Sequence, residues 1–472
     1  MKFCYNESGD NMSKCPNCGA DIEFKAEDQH VHCPYCGSDF DPKELNVESK
    51  KAKEVETFEG KAFSCTQCGA TLMTFDETAI TFCSYCGSQS MIEEKMMKQN
   101  NPDYIIPFKV DQKTCEENYR KKIKSSLFVP NYMKEDMTVK KFRGIYMPYG
   151  IYKCSFHGDS VNKGSVQSHR SGDYIIYNDY KLTAHVDADY DGISFDLLSK
   201  FYDEYSESIP FDFKQAEPFN VNYLHGFYAD TKDVEAEKYN PDAELIAMND
   251  STRFMRKDHA FARHGCSKPV CNMGVSETKV GMFPVYFLSV RDKSGEHIHY
   301  AVVNGQTGKV SADLPIDFMK YIIGSLILAV PIFLGLNLIP IITPVWVNIF
   351  AIIMSIIGMI IVAVQTGKLN DRLNLTSDKG AKKDEEEVAD KKKKKKKNKE
   401  GVGKHLVKYF FAIFIALAPI VVPTYEDMFY YGGAVAALLL IIWGFNDLVS
   451  LHNKMVCRKL PQLEKRGGDE SE

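Results

Sequence analysis

Apolar residues are spread unevenly along this chain, and the densest runs lie in its last third. Residues 321–340 and 345–364 contain no ionisable side chain other than tyrosine, and each run is about the length a helix needs to cross a bilayer. Residues 406–422 and 429–446 form a second, slightly shorter pair, with Lys408 near one end. Short turns at 341–344 and 423–428 join the members of each pair, so the pattern predicts four transmembrane helices arranged as two hairpins. Gly433 and Ala437 stand four apart and suit close helix packing or an oligomer contact. No Asp, Glu, His or Arg falls at mid-depth, which lowers the case for a proton-coupled pump.

Upstream, residues 101–313 alternate in shorter runs and predict an α+β domain with mostly antiparallel strands. Tyr119, Ile123 and Leu127 recur at helical spacing behind a Thr114–Glu117 capping pair, predicting a helix over 115–126. Residues 142–156 read as strand, with Pro148 at an edge or bend, and 173–188 as one or two more. Ser194 is placed to cap a helix whose stripe is Leu198, Phe201, Tyr205 and Ile209, and 231–258 reads as helical with an interruption at Pro241. Strands at 281–290, 298–303 and 309–312 close the domain, with Asn304-Gly305 and Thr307-Gly308 as turn chemistry.

The cysteines change the picture at the front of the chain. Cys15-Pro16-Asn17-Cys18-Gly19 is followed by Cys33-Pro34-Tyr35-Cys36-Gly37, and the same pattern returns fifty residues later as Cys65, Cys68, Cys83 and Cys86. Each copy reads C-x2-C, fourteen residues, C-x2-C, the spacing of a four-thiolate tetrahedral zinc ribbon. The expected cofactor is Zn2+, two ions, both structural, because four sulfurs leave no position for water or substrate. The other six of the fourteen cysteines have no regular spacing, which fits reduced thiols in a cytosol.

Charge refines the reading. Net charge is -5 over 472 residues, and the ribbons are acidic: Asp21, Glu23, Glu27 and Asp28 face a single Lys25 in the first. Phosphate binding needs cations, so nucleic acid is disfavoured as a partner. The short interhelical turns carry no lysine or arginine, whereas Lys320, the 366–405 loop, Lys454, Arg458 and Lys459 share the opposite side. The positive-inside rule then predicts a multi-pass cell-membrane protein with its N-terminus, central loop and C-terminus cytoplasmic. Lys391–Lys397 is a candidate contact for anionic lipid, partly offset by the acids at 384–387. Met12, just before the first ribbon, is an alternative start to Met1.

The chain therefore divides into a tail at 1–14, ribbons at 15–38 and 65–90 with a charged linker at 39–64, and the α+β cytosolic domain at 101–313. Membrane hairpins follow at 320–365 and 406–447, separated by the 366–405 loop, with a cytosolic tail at 448–472.

Other motifs are weaker. Residues 187–192 match the start of a calcium loop, but its twelfth position is Leu198 where an acid is required, so a polar turn is expected instead. His259, His264, Cys266 and Cys271 lie within thirteen residues but match no metal spacing. His157, His169, His185, His297 and His299 are scattered through strand-like sequence with no nucleophile placed beside them. No phosphate-gripping loop or dinucleotide fingerprint occurs, and no catalytic residue is assigned.

The tandem ribbons, residues 119–130 (YRKKIKSSLFVP), 142–148 (FRGIYMP), 226–231 (GFYADT) and 303–309 (VNGQTGK) resemble a family of uncharacterised bacterial membrane proteins. Its members are labelled transcription factor IIB-type zinc-ribbon proteins, and sometimes primosomal replication-restart helicases. The chain departs from both namesakes, having no helicase phosphate loop and no duplicated helical domain after the ribbons. The expected function is a cytosol-facing, membrane-anchored zinc-ribbon adaptor for a protein partner. The alternatives are a membrane-tethered nucleic-acid or transcription-linked module, and a membrane enzyme or lipid-handling protein with a pocket in the middle domain.

Overall fold

The computed structural model describes residues 14–45, 57–75, 80, 82–292, 295, 297–336, 344–373, 379, 401–421 and 426–459. The lysine run 391–397, the acids at 384–387 and both candidate start methionines lie outside them.

The globular part is built on strand Gly274–Arg291, buried almost continuously from Met282 to Val290. It pairs antiparallel with Arg143–Ser171 from Gly274↔Ser155 to Phe287↔Arg143, and on its other side with His297–Asn304. Both faces of the central strand are covered, which is why its sequence reads as an unbroken apolar run. The turn after Asn304 follows the sequence reading: its side chain accepts from the backbone N–H of Gln306 and Thr307, and Gly308 has φ 72°.

The second ribbon is part of this sheet. Thr57–Cys65, Thr71–Thr74 and Met91–Asn100 pair with one another, and Met73 pairs with Ala229, whose strand runs parallel to Ile145–Tyr146. The described residues thus form one twelve-stranded sheet across the expected boundary between ribbon and middle domain. Of the linker expected at 39–64, residues 57–64 belong to strand Thr57–Cys65, and 46–56 lie outside the described residues. Phe58, Ala62 and Phe63 point into the core, while Glu59 stays outside and meets Lys98 at 3.3 Å.

Three local readings also change. The helix is Gln112–Lys124, capped by Asp111, which accepts from Thr114 N at 3.1 Å, and Leu127 lies beyond it and exposed. The stripe Leu198, Phe201, Tyr205 and Ile209 is buried as expected, yet only Asp203–Ser208 is helical. Residues 187–192, expected as a turn, lie inside strand Tyr174–Asp196.

That strand pairs with Arg143–Ser171 out to Ser171↔Tyr174, and beyond Phe156 the pair leaves the sheet as a two-stranded arm about 50 Å long at the usual strand rise. One face of the arm packs Leu182, Ala184 and Val186 against helix Asn240–Met255 and Phe261.

Helices Pro344–Leu373, Val402–Val421 and Glu426–Val456 are long and apolar enough to cross a membrane, while Phe318–Leu336 carries a shorter apolar stretch, Phe318–Pro331. Four spans were expected and three are found among the described residues; residues 337–340, the end of the first expected span, and 341–343 of the turn after it are outside them. Two of the helices overrun the predicted boundaries into 366–373 and 448–456, because Thr366, Leu369 and Leu451 still pack inside the bundle. Gly433 lets the helices approach closely: a Cβ there would lie 3.1 Å from Val347 and 3.2 Å from Asn348. Trp346, Phe350, Phe410 and Phe414 face outward, whereas Asn348, Ser355 and Asp447 are inside. Asp447, one residue past the predicted span, is buried with Lys408 at 2.7 Å and His405 at 3.0 Å.

Candidate metal centres

Four turns hold the eight cysteines, and they share one geometry. In each, the glycine N–H after the second cysteine donates to the carbonyl of the first, at 2.8–2.9 Å. The first cysteine's N–H donates to the next residue's carbonyl at Ala20, Ser38, Ala70 or Ser88, at 2.7–2.9 Å. Gly19, Gly37, Gly69 and Gly87 have φ between 66° and 77°, the left-handed region that only glycine enters without steric cost. The repeated Cys-x-x-Cys-Gly is therefore a backbone requirement as well as a ligand set.

The turns bring the sulfurs together as the spacing predicts. Cys15–Cys36 and Cys18–Cys33 approach at 3.6 and 3.5 Å, and Cys65–Cys86 and Cys68–Cys83 at 3.6 Å. Within each group of four, all sulfurs lie within 4.8 Å of one another. A tetrahedron with metal–sulfur bonds of about 2.3 Å has edges of about 3.8 Å, so both groups fit a tetrahedral ion. As free thiols they fit poorly. Cys83 is held far above its usual range by side-chain contacts with Cys65, Cys68 and Cys86, while Cys86 is pulled down by hydrogen bonds from Cys68 and Cys83. Four crowded sulfurs cannot all ionise alone, and a divalent cation removes that conflict.

The surroundings of the two groups differ. In the first, Cys18 and Cys36 are exposed and Tyr35 is 83% exposed. This ribbon is seated by its hairpin: Phe24 packs on Tyr223 with ring centroids 5.1 Å apart, and Gln29 Nε2 donates to the Phe108 carbonyl at 2.7 Å. Asn220 and Asn222 both donate to the Pro42 carbonyl, at 2.8 and 2.9 Å. In the second group all four cysteines are buried, and Tyr85, fifty residues after Tyr35, is 2% exposed.

Tyr85 is a plug in the sheet. Its hydroxyl donates to Asp230, which is also paired with Lys200 at 2.6 Å, and its ring lies 5.3 Å from that of Phe287. Burial pushes the Tyr85 phenol well above its usual range, so it remains a neutral donor. Tyr300 donates to the Tyr85 carbonyl at 2.9 Å. Arg291 donates to the Cys86 carbonyl through Nε and to Gln67 through Nη2, both at 2.7 Å. Sequence reading missed this socket because Lys200, Asp230, Arg291 and Tyr300 are scattered over a hundred positions.

The remaining candidates separate. His259, His264, Cys266 and Cys271 form no metal-holding group among the described residues; Cys266 and Cys271 are core residues and His264 contacts the Ala260 carbonyl at 2.8 Å. His157 and His185 do meet carboxylates, Asp187 at 3.2 Å and Asp159 at 2.9 Å, but on the open face of the arm. His169 is exposed near the arm's tip. His297 lies 3.3 Å from Asp292. His299 is buried, and burial holds it below the usual imidazole range. Its ring lies 3.0 Å from the Val456 carbonyl and 3.1 Å from the Tyr132 hydroxyl, so it joins the last helix to the sheet.

No family model and no solved structure matches the chain. A protein of Bacillus subtilis strain 168, described as "Uncharacterized protein YdjG", is 30% identical over 312 residues, covering 64% of this chain and 90% of that protein. At that identity and coverage, the chain belongs to the same family as Bacillus subtilis YdjG.

Proposed function

We propose that this protein is a membrane-anchored, cytosol-facing adaptor: two structural zinc ions, bound by Cys15, Cys18, Cys33 and Cys36 and by Cys65, Cys68, Cys83 and Cys86, shape a surface that holds a protein partner. Likeness to the tandem-ribbon membrane proteins belongs to this reading. The observation that carries it is the first ribbon, seated by its hairpin with Cys18, Cys36 and Tyr35 left exposed. A cleft of about 310 Å³ between Asn131 and Phe318 has Asp317 and Tyr132 as its ionisable groups, a poor basis for acid–base chemistry.

Four membrane passes with all soluble parts on one side are the topology we favour. Helix ends meet the globular part at several places. Asp317 N donates to the Phe128 carbonyl at 2.7 Å and Lys320 to that of Val129 at 2.7 Å. Arg372 pairs with Glu204, and Arg458 lies 3.7 Å over the Tyr202 ring while its strand extends the sheet beside Ile298. Lys320, Arg372 and Arg458 at these helix ends support, by the positive-inside rule, a cytosolic side for the domain.

The test is crosslinking in native membranes followed by purification of the full chain, comparing wild type with Cys18→Ser plus Cys36→Ser. The adaptor reading expects two zinc ions in wild type, one in the variant, and loss of the variant's crosslinked protein while it stays in the membrane. Identical crosslinked proteins from both chains, or fewer than two zinc ions in wild type, would sink it.

A further inference from the structure

The tandem repeat contains one plug that is seated and one that is not. Cys83-Ser84-Tyr85-Cys86-Gly87-Ser88 and Cys33-Pro34-Tyr35-Cys36-Gly37-Ser38 have the same turn, the same glycine conformation and the same tyrosine position. The protein's own sheet shows what such a plug binds: a carboxylate for the phenol (Asp230), an arginine for the second cysteine's carbonyl (Arg291), and an aromatic wall (Phe287). In the first ribbon Tyr35 and the second cysteine, Cys36, are exposed. An exposed tyrosine on a rigid turn is a low-entropy anchor, the kind of residue that dominates protein interfaces.

We infer that the Tyr35 turn of the first ribbon docks a different protein, in a socket that offers a carboxylate to the Tyr35 hydroxyl and an arginine to the Cys36 carbonyl beside an aromatic ring. This deepens the adaptor reading and rests on it. A second copy of the chain is not the occupant, since its socket is filled by its own Tyr85. The charge pattern agrees: with Asp21 paired to Lys14, the exposed Glu23, Glu27 and Asp28 still make the ribbon acidic, so an arginine-bearing surface is attracted and an acidic one repelled. The seated copy also carries a cation beside the ring, Lys200 at 5.3 Å, so a basic rim around the partner's socket is expected.

The experiment places p-benzoylphenylalanine at exposed Pro16, leaving Tyr35 intact, in the full chain in membranes. The crosslinked protein is then purified and its affinity measured for wild type, Tyr35→Phe and Tyr35→Ala, and for a partner with the contacting carboxylate changed to its amide. Expected is a loss of about tenfold or more for Tyr35→Ala, with Tyr35→Phe and the partner change each weakening binding but not adding to one another. Equal binding of wild type and Tyr35→Ala, or additive losses, overturns the docking proposal while leaving the adaptor reading in place. Absence of any protein adduct from wild type overturns both.

Discussion

The two ribbons have the same cysteine spacing and the same geometry in their two turns, yet they sit in the molecule in opposite ways. The first is held by its hairpin through Phe24, Gln29 and the Pro42 carbonyl, and presents its turns to solvent. The second is held by its turns, through Tyr85 and Arg291, and its strands continue into the main sheet. One four-cysteine unit therefore sits in two settings. In the second it braces a sheet whose other strands lead into the apolar helices. In the first, Tyr35, Cys18 and Cys36 stay exposed.

The largest effect expected from this contrast concerns the ligands. Cys68→Ser plus Cys83→Ser would remove the proposed ion of the fully buried group, and a structural zinc site supplies about 10 kcal/mol or more of apparent binding energy. The full-length variant should lose its cooperative thermal transition in detergent, while Cys18→Ser plus Cys36→Ser should keep it with one zinc fewer. Equal damage from both pairs would break the comparison. A smaller effect is expected from the tyrosines. Tyr85→Ala opens a cavity and strands the Lys200–Asp230 pair, at a cost of about 3–5 kcal/mol, whereas exposed Tyr35→Ala should change stability by less than about 0.5 kcal/mol. Denaturant midpoints of the two variants decide it, and a destabilised Tyr35→Ala would mean that the first turn is seated after all. The smallest effect is kinetic. A chelator should withdraw zinc in two phases, the fast one from the exposed first site, and Cys18→Ser should abolish the fast phase alone. A single phase in wild type would place both ions in equivalent surroundings.

Legibility followed the range of the interactions involved. The ribbons were visible because ligand spacing and the following glycine are local demands, repeated four times. The central strand, the hairpin turn at Asn304 and the apolar helices were visible because burial leaves a periodic or unbroken apolar trace. Leu198, Phe201, Tyr205 and Ile209 show the limit of that trace: all four are buried, but an irregular segment buries them as well as a helix would. The arm was harder still. It is solvated along one face and carries Asp, His and Lys there, so residues 187–192 read as a turn although cross-strand pairing holds them extended.

By itself, then, the sequence determined the two four-cysteine groups, the apolar segments and the lysines and arginines that flank them, since each depends on residue type and short spacing. Only the tertiary structure decided that the second ribbon belongs to the sheet, that Asp447 is buried with Lys408, and that Tyr85 is seated while Tyr35 is exposed. Those outcomes depend on partners far away in the chain, and nothing in Cys-x-Tyr-Cys-Gly-Ser records whether a socket exists to receive it.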